Sequence, residues 1–127
     1  MTDLSSVEFY SNQTNQWQVV SSMKTPRSMA GVTVLNDVLF AVGGCNGRSL
    51  ESVEIYTPET DTWMIIAPMK EPRSGVGTAV IDGLLYVLGG YNGTDYLNSV
   101  EVFHPQKKRW TSATSMKTNR RRFGCCS

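Results

Sequence analysis

Two stretches of the chain carry nearly the same residues in the same order. Residues 41–56 read AVGGCNGRSLESVEIY, and residues 87–103 read VLGGYNGTDYLNSVEVF. Each stretch has an apolar run, a Gly pair, an Asn-Gly turn, a leucine, the triplet Ser-Val-Glu and an aromatic ring. Chance does not readily repeat so many residue types in one order, so we infer a repeated structural unit.

The repeat extends beyond these stretches. Trp17, Trp63 and Trp110 are separated by 46 and then 47 residues. The same spacings relate Val7, Val53 and Val100; Met23, Met69 and Met116; and Arg27, Arg73 and Arg120. The extra residue of the second interval falls just after the Asn-Gly turn, where a loop tolerates an insertion.

Each complete unit contains four short stretches typical of β-strands, and none typical of a helix. In one unit they are residues 30–35, 38–42, 52–56 and the segment around Trp63, with Asn-Asp, Asn-Gly and Thr-Pro-Glu-Thr-Asp turn signals between them. The second stretch, VLFAV, is apolar at every position, which indicates a strand covered on both faces. Sheets that are covered on both faces and recur at a fixed period predict a β-propeller.

Glycine and tryptophan fit this geometry. The pairs Gly43-Gly44 and Gly89-Gly90 end the second strands, where we expect the backbone to bend or to approach another backbone closely. The tryptophans lie further out along each unit and are expected to fill the wedge between blades.

The combined pattern of Gly-Gly, Asn-Gly, Ser-Val-Glu-x-Tyr, Trp and Met-x-x-x-Arg resembles the Kelch repeat, in the subtype found in BTB–Kelch proteins. The resemblance covers almost the whole chain, with two mild departures: Phe103 replaces Tyr, and Asn119 replaces the Pro before Arg. It implies an all-β Kelch propeller with two full four-stranded blades and partial blades at both ends. We divide the chain into residues 1–26 (a partial repeat with the last two strands), 27–72, 73–119 (two repeats) and 120–127 (the first strand of a truncated repeat).

The number of repeats is small for a closed ring. Kelch propellers of this subtype usually have six blades, which at this period need roughly 280 residues, whereas the chain has 127. We therefore expect an incomplete ring, whether as a fragment or as a short protein that completes itself by oligomerising. Open strand edges favour aggregation, so we expect poor solubility or marginal stability.

Composition narrows the class of partner. The formal net charge is +1 and 40% of residues are hydrophobic, which gives neither a nucleic-acid nor a membrane footprint. No secretory signal is visible at the N-terminus, and the three cysteines have no paired C-x-x-C spacing, so we expect reduced thiols and a cytoplasmic location.

The loops between second and third strands (45–49 and 91–96) are expected to share one rim with the connections between blades (24–28, 70–74 and 117–121). The resemblance implies that this rim receives a short peptide from a partner protein. The recurrent arginines have two interpretations: each ties a loop or pairs with a recurrent glutamate (Glu8, Glu54 or Glu101), or it grips an acidic peptide. The predicted partner-binding residues are Arg27, Ser28, Cys45, Asn46, Arg48, Arg73, Ser74, Tyr91, Asn92, Asp95, Tyr96 and Arg120.

The resemblance implies a protein–protein interaction module that recognises a substrate protein for a cullin-RING ubiquitin ligase, with the cullin contacted only through segments absent from this chain. An actin-binding Kelch scaffold is the alternative within the same class. We expect no enzymatic activity, cofactor or metal, because the single histidine, His104, is interpreted as a turn residue. The alternative from another class is a fragment of a propeller enzyme, either an oxidase or a sugar-active enzyme.

Overall fold

The computed structural model describes residues 5–11 and 15–114, and its regular structure in that part is entirely β. Ten strands follow in chain order: β1 (Val7–Ser11), β2 (Gln16–Val20), β3 (Gly31–Leu35), β4 (Val38–Val42), β5 (Val53–Thr57), β6 (Thr62–Ile66), β7 (Gly77–Ile81), β8 (Leu84–Leu88), β9 (Val100–His104) and β10 (Arg109–Ala113). Within these residues no helix is long and apolar enough to cross a membrane.

The strands form three antiparallel sheets in which neighbours in space are neighbours in sequence. We call them the first blade (β1–β2), the second blade (β3–β6) and the third blade (β7–β10). The two four-stranded blades and the hairpin before them confirm the predicted partial β-propeller. The strand predicted for residues 120–127 lies outside the described residues.

Turn chemistry sets the strand boundaries. Asn36 and Asp37 join β3 to β4 with φ of 54° and 62°, and Asp82 and Gly83 join β7 to β8 with φ of 52° and 76°. Two consecutive positive φ values are what a tight hairpin requires, and Asn, Asp and Gly tolerate them best. The Asn-Asp turn signal is confirmed at the first of these hairpins, and Asp-Gly forms the equivalent turn at the second.

The uniformly apolar strand β4 is covered on both faces, as predicted. Phe40 and Val42 join the apolar cluster shared with the third blade, which contains Leu85 and Phe103. Ala41, on the other face, joins the cluster shared with the first blade. A single strand therefore contributes to two cores, which explains why it cannot alternate between apolar and polar residues.

Tryptophans seal the contact between consecutive blades. Trp63 and Trp110 are each only 6% exposed. The indole Nε1 of Trp63 donates to the Ser21 carbonyl at 2.7 Å, and that of Trp110 donates to the Ala67 carbonyl at 2.9 Å. Each indole therefore hydrogen-bonds to the residue that follows the last strand of the preceding blade.

The Gly pair allows a close approach between blades. Gly44 has φ of 100°, and its N–H donates to the Arg73 carbonyl of the next blade at 2.8 Å. A Cβ at Gly44 would lie 2.7 Å from the Ser28 carbonyl oxygen. The expectation of a bent, closely approached backbone is confirmed at this position.

Asp61, in the β5–β6 turn, anchors the first blade to the second. Its Oδ1 accepts from the Ser21 N–H at 2.9 Å and from the Tyr56 hydroxyl at 2.7 Å. These two bonds, the backbone N–H first, hold the pKa of Asp61 below its ordinary value of 3.8. The hydrogen bond from the Tyr56 hydroxyl to Asp61 raises the pKa of Tyr56 above its ordinary value of 10.0.

Candidate protein-binding rim

The predicted loops and interblade connections meet along one edge of the blades. Ser28 and Cys45 exchange two backbone hydrogen bonds of 3.0 and 2.7 Å, and Ser74 and Tyr91 exchange two of 2.9 Å. The Ser49 hydroxyl donates to the Tyr91 carbonyl at 2.9 Å and so joins the loops of neighbouring blades. We call this edge the rim: residues 24–28, 45–49, 70–74 and 91–96.

Arg27 is buried beneath the rim and faces the protein interior. It is 5% exposed. Its Nη1 donates to the carbonyls of Gly43 (2.6 Å) and Ser52 (2.9 Å), and its Nη2 donates to the Ser52 hydroxyl and to Glu54 Oε2 at 3.0 Å. The N–H groups of the Arg27 guanidinium all donate to protein acceptors. Arg27 therefore holds the backbone at Gly43 and Ser52 in place.

Arg73 repeats this arrangement in the third blade and is fully buried. Its Nη1 donates to the carbonyls of Gly89 and Ser99 at 2.7 and 3.1 Å, and its Nε donates to Glu101 Oε2 at 3.0 Å. We call the two ion pairs, Arg27–Glu54 and Arg73–Glu101, the Arg–Glu locks.

The glutamates of the locks also accept backbone N–H groups. Glu54 accepts from Lys24 at 2.7 Å and from Thr25 at 3.0 Å, and Glu101 accepts from Lys70 at 2.7 Å and from Glu71 at 3.2 Å. In the described part of the chain no buried side-chain nitrogen or oxygen lacks a hydrogen-bond partner. A buried ion pair is tolerated when its remaining polar atoms are satisfied in this way.

These contacts correct the set of predicted partner-binding residues. Arg27 and Arg73 have their guanidinium groups covered, which leaves the structural interpretation of the recurrent arginines. Ser74 is buried and Ser28 half-buried, each in a backbone bridge to the facing loop. Arg120 lies outside the described residues.

Cys45 is a further correction. It is 7% exposed, and its sulfur is disulfide-bonded. The expectation of reduced thiols therefore does not hold at Cys45, and its side chain does not offer a surface for a partner.

The other predicted residues remain accessible on the rim. The Arg48 side chain is 68% exposed, forms a 3.7 Å ion pair with Glu51 and donates from Nη1 to the neighbouring Ser49 carbonyl at 3.3 Å. The Tyr91 and Tyr96 rings pack with their centroids 4.9 Å apart, and both are half-buried. Asn46 and Asp95 are exposed, and Asn92 is half-buried.

Asn92 stabilises the longer of the two loops. Its Oδ1 accepts from the N–H of Thr94 at 2.9 Å and of Asp95 at 2.8 Å. The Tyr91 hydroxyl donates to the Gly93 carbonyl at 3.0 Å. This loop therefore has a defined shape, which lowers the entropy that binding would cost.

A depression of about 280 Å³ lies between the two loops. Its lining contains Arg48 and Tyr91, which were predicted, and Ser49 and Pro72, which were not. Ser49 lies in the predicted loop 45–49 and Pro72 in the predicted connection 70–74, but their proximity depends on how the second blade packs against the third. The spacing within one repeat carries no signal of that contact.

A larger groove, of about 450 Å³, opens on the opposite side, between the β3–β4 and β9–β10 turns. It is lined almost wholly by apolar side chains such as Phe40, Ile66 and Phe103. These residues belong to the core between the second and third blades, so the groove is the outer part of the wedge between those blades. Within residues 5–11 and 15–114, no three His, Cys, Asp or Glu side chains converge as a metal site would require.

A family model for the Kelch motif matches residues 26–70 and 72–117. The chain belongs to the Kelch repeat family. A 46-residue stretch is 46% identical to the influenza virus NS1A-binding protein homolog of Xenopus laevis, covering 36% of this chain and 7% of that protein. The solved structure of YjhT superposes with a TM-score of 0.77 at 16% identity, over 92% of this chain and 53% of that chain.

The Kelch chain therefore spans about half of the YjhT chain and a small part of the Xenopus relative. The motif match and the fold support a protein-interaction propeller module. The prediction that the chain is not an enzyme is wrong, because the match to YjhT overturns the exclusion of that class of protein. At 16% identity, the match to YjhT shows a shared fold and nothing more. A single fold can serve both enzymes and binding modules.

Proposed function

We propose that the rim binds a short segment of a partner protein, with Arg48, Tyr91 and Tyr96 as its anchors. The observation that carries this proposal is the contrast in exposure between the locked arginines and Arg48. The locks fix the backbone of both loops, while Arg48 and Tyr91 line the depression between them and Tyr96 packs against the Tyr91 ring. A rigid scaffold that presents Tyr and Arg side chains is typical of binding surfaces.

The partner segment that fits these anchors combines an apolar or aromatic side chain with a carboxylate. The tyrosine pair offers an aromatic surface for the apolar side chain, and the Arg48 guanidinium offers a bidentate contact for the carboxylate. Asp95 lies at the end of the longer loop and disfavours an acidic group there.

We further propose that this binding selects substrates for a cullin-RING ubiquitin ligase in the cytoplasm, as the BTB–Kelch-like residue pattern suggests. This finer role is tested in the longest natural protein that contains the sequence. Co-precipitation of a cullin supports it, and co-precipitation of actin without a cullin contradicts it in favour of the cytoskeletal alternative.

Rim binding itself is tested by cross-linking and quantitative mass spectrometry of tagged wild-type, Arg48→Ala and Tyr91→Ala chains. The matched control is Arg109→Ala, which removes an exposed arginine beside the β9–β10 turn on the opposite side. We expect a specific partner to be lost from both rim variants and retained by the control. Retention of the partner by Arg48→Ala and Tyr91→Ala would place the binding surface elsewhere.

A further inference from the structure

A carboxylate anchors the wedge between the first and second blades. Asp61 Oδ1 accepts from the Ser21 N–H at 2.9 Å and from the Tyr56 hydroxyl at 2.7 Å. The carboxylate therefore caps a backbone N–H that lies just after the last strand of the first blade. The wedge between the second and third blades has different residue types at the same three repeat positions.

In that second wedge the equivalent positions, 46 or 47 residues later, hold Ala67, Phe103 and Lys108. Lys108 and Asp61 share a left-handed backbone conformation, with φ of 54° and 52°, which supports their equivalence. A lysine ammonium group only donates hydrogen bonds, and phenylalanine has no hydroxyl. Neither side chain caps the Ala67 N–H, and within residues 5–11 and 15–114 no other acceptor does so. A backbone donor that is half-buried is thus left for an acceptor from outside these residues.

Ala67 and Lys108 both line the apolar groove of about 450 Å³ between the second and third blades, which we call the wedge groove. Both blades that form the groove have all four strands. Apart from Asn36 and Lys108, the side chains of its lining are apolar, and they include the buried ring of Phe103. Met64 adds a flexible thioether that is 59% exposed and adapts to the shape of a ligand. The volume lies in the range of about 300–1,000 Å³ that is typical of small-molecule sites.

Charge complementarity selects the head group of the ligand. Lys108 is exposed, is the one charged residue among the described residues that line the groove, and forms no ion pair with the described part of the chain. One positive charge and one backbone donor at Ala67 match a single carboxylate. A cationic head group would meet the Lys108 charge, and a neutral one would leave that charge without a partner.

We propose that the wedge groove binds a monocarboxylate with an apolar chain, of the fatty-acid class. The ligand carboxylate takes the position that Asp61 occupies in the first wedge, where it accepts from the Ala67 N–H and pairs with the Lys108 ammonium. The apolar chain lies against Phe103 and Met64, where its burial removes apolar surface from water on both sides of the contact. The wedge groove lies on the side opposite the rim, so this binding does not rest on the function proposed for the rim.

The first test is an NMR titration of the whole ¹⁵N-labelled chain with decanoate, kept below the concentration at which decanoate forms micelles. We expect saturable binding that shifts the Ala67 amide resonance. The Ser21 amide should not shift, because Asp61 already accepts from it. Decanol and decylamine have the same apolar chain and should bind at least about tenfold more weakly, because each loses the charged hydrogen bond and the ion pair.

Variants of one turn separate the charge of the site from the charge of its surroundings. Lys108→Gln should weaken decanoate binding on the order of fivefold, since it removes an ion pair at a partly exposed site. Lys107→Gln is the matched control, because Lys107 is exposed in the same turn and lines a neighbouring depression instead of the wedge groove. Lys108→Asp should abolish binding, because its own carboxylate then caps the Ala67 N–H as Asp61 caps that of Ser21. Circular dichroism verifies that the three variants keep their strands.

Decanoate binding that shifts Ala67, prefers the carboxylate and weakens in Lys108→Gln but not in Lys107→Gln supports the proposal. A chain that does not bind decanoate overturns it, and so does a shift confined to the rim loops. Equal affinity for decanoate, decanol and decylamine, or an affinity that Lys108→Asp leaves unchanged, overturns it as well, because the carboxylate would then not be recognised.

Discussion

The Arg–Glu locks and the rim loops lie next to each other, but they use arginine in opposite ways. Arg73 is fully buried and donates to two carbonyls, a hydroxyl and a carboxylate. Arg48, one loop away, is 68% exposed and forms one 3.7 Å ion pair with Glu51 and one 3.3 Å hydrogen bond to the Ser49 carbonyl. Among the arginines of the two described four-stranded blades, the recurrent Arg27 and Arg73 hold the backbone, and Arg48, whose repeat position is Thr94, is accessible to solvent.

Removing a lock should have the largest effect on stability. Arg73→Ala leaves Glu101 buried without its charge partner, and we expect a loss of about 3–5 kcal/mol in the free energy of unfolding. Urea denaturation followed by circular dichroism measures it.

The contrast with the rim supplies the control for this prediction. Arg48→Ala should change the free energy of unfolding by no more than about 0.5 kcal/mol, because its ion pair is exposed. Equal losses in the two variants would show that the recurrent arginine is not structural.

The tryptophans extend the comparison to the faces between blades. Trp63→Phe removes the indole N–H and leaves the Ser21 carbonyl without that donor, so we expect a loss of about 1–3 kcal/mol. Trp17→Phe, measured in dilute solution, should cost less than about 0.5 kcal/mol because its ring is exposed. Thermal unfolding of both variants gives the difference, and a larger loss for Trp17→Phe than for Trp63→Phe would contradict the expectation that burial of the indole sets its contribution to stability.

The smallest effect concerns pH. Because the folded pKa of Asp61 lies below its ordinary value, its contribution to stability is complete above pH 3.8 and is lost as the pH falls through the folded pKa. Asp61→Asn should therefore flatten the acid limb of the stability profile, measured by urea denaturation at a series of pH values below about 5. Asp37→Asn, in an exposed turn with similarly positive φ, serves as the control. If the free energy of unfolding of Asp61→Asn falls with decreasing pH as steeply as that of the wild type, Asp61 does not anchor the first blade.

Much of the fold was predictable from the sequence, because each strand carries its own local signal. The Asn36-Asp37 turn, the apolar run of β4 and the Gly43-Gly44 pair specify conformations that depend on few other residues. Repetition strengthened each signal, because the one-residue insertion after the second Asn-Gly turn shifted the later residues of the repeat without changing their order.

The rim was less predictable because it is formed between repeats. The sequence paired Arg73 with Glu101 as one of two interpretations, but burial decides between them, and burial depends on how a neighbouring blade packs. Ser49 and Pro72 were missed for the same reason. Cys45 was misjudged because disulfide formation depends on how close two sulfurs lie in the folded chain, which the spacing of the cysteines does not reveal.

Amide hydrogen exchange measured by NMR tests the central claim most directly. The N–H groups of Lys24 and Lys70, donated to the lock carboxylates at 2.7 Å, should exchange at least about tenfold more slowly than those of Gly47 and Gly93 in the exposed loops. Exchange at Lys24 and Lys70 as fast as at the loop glycines would contradict the account, since the connections between blades would then not be held by Glu54 and Glu101.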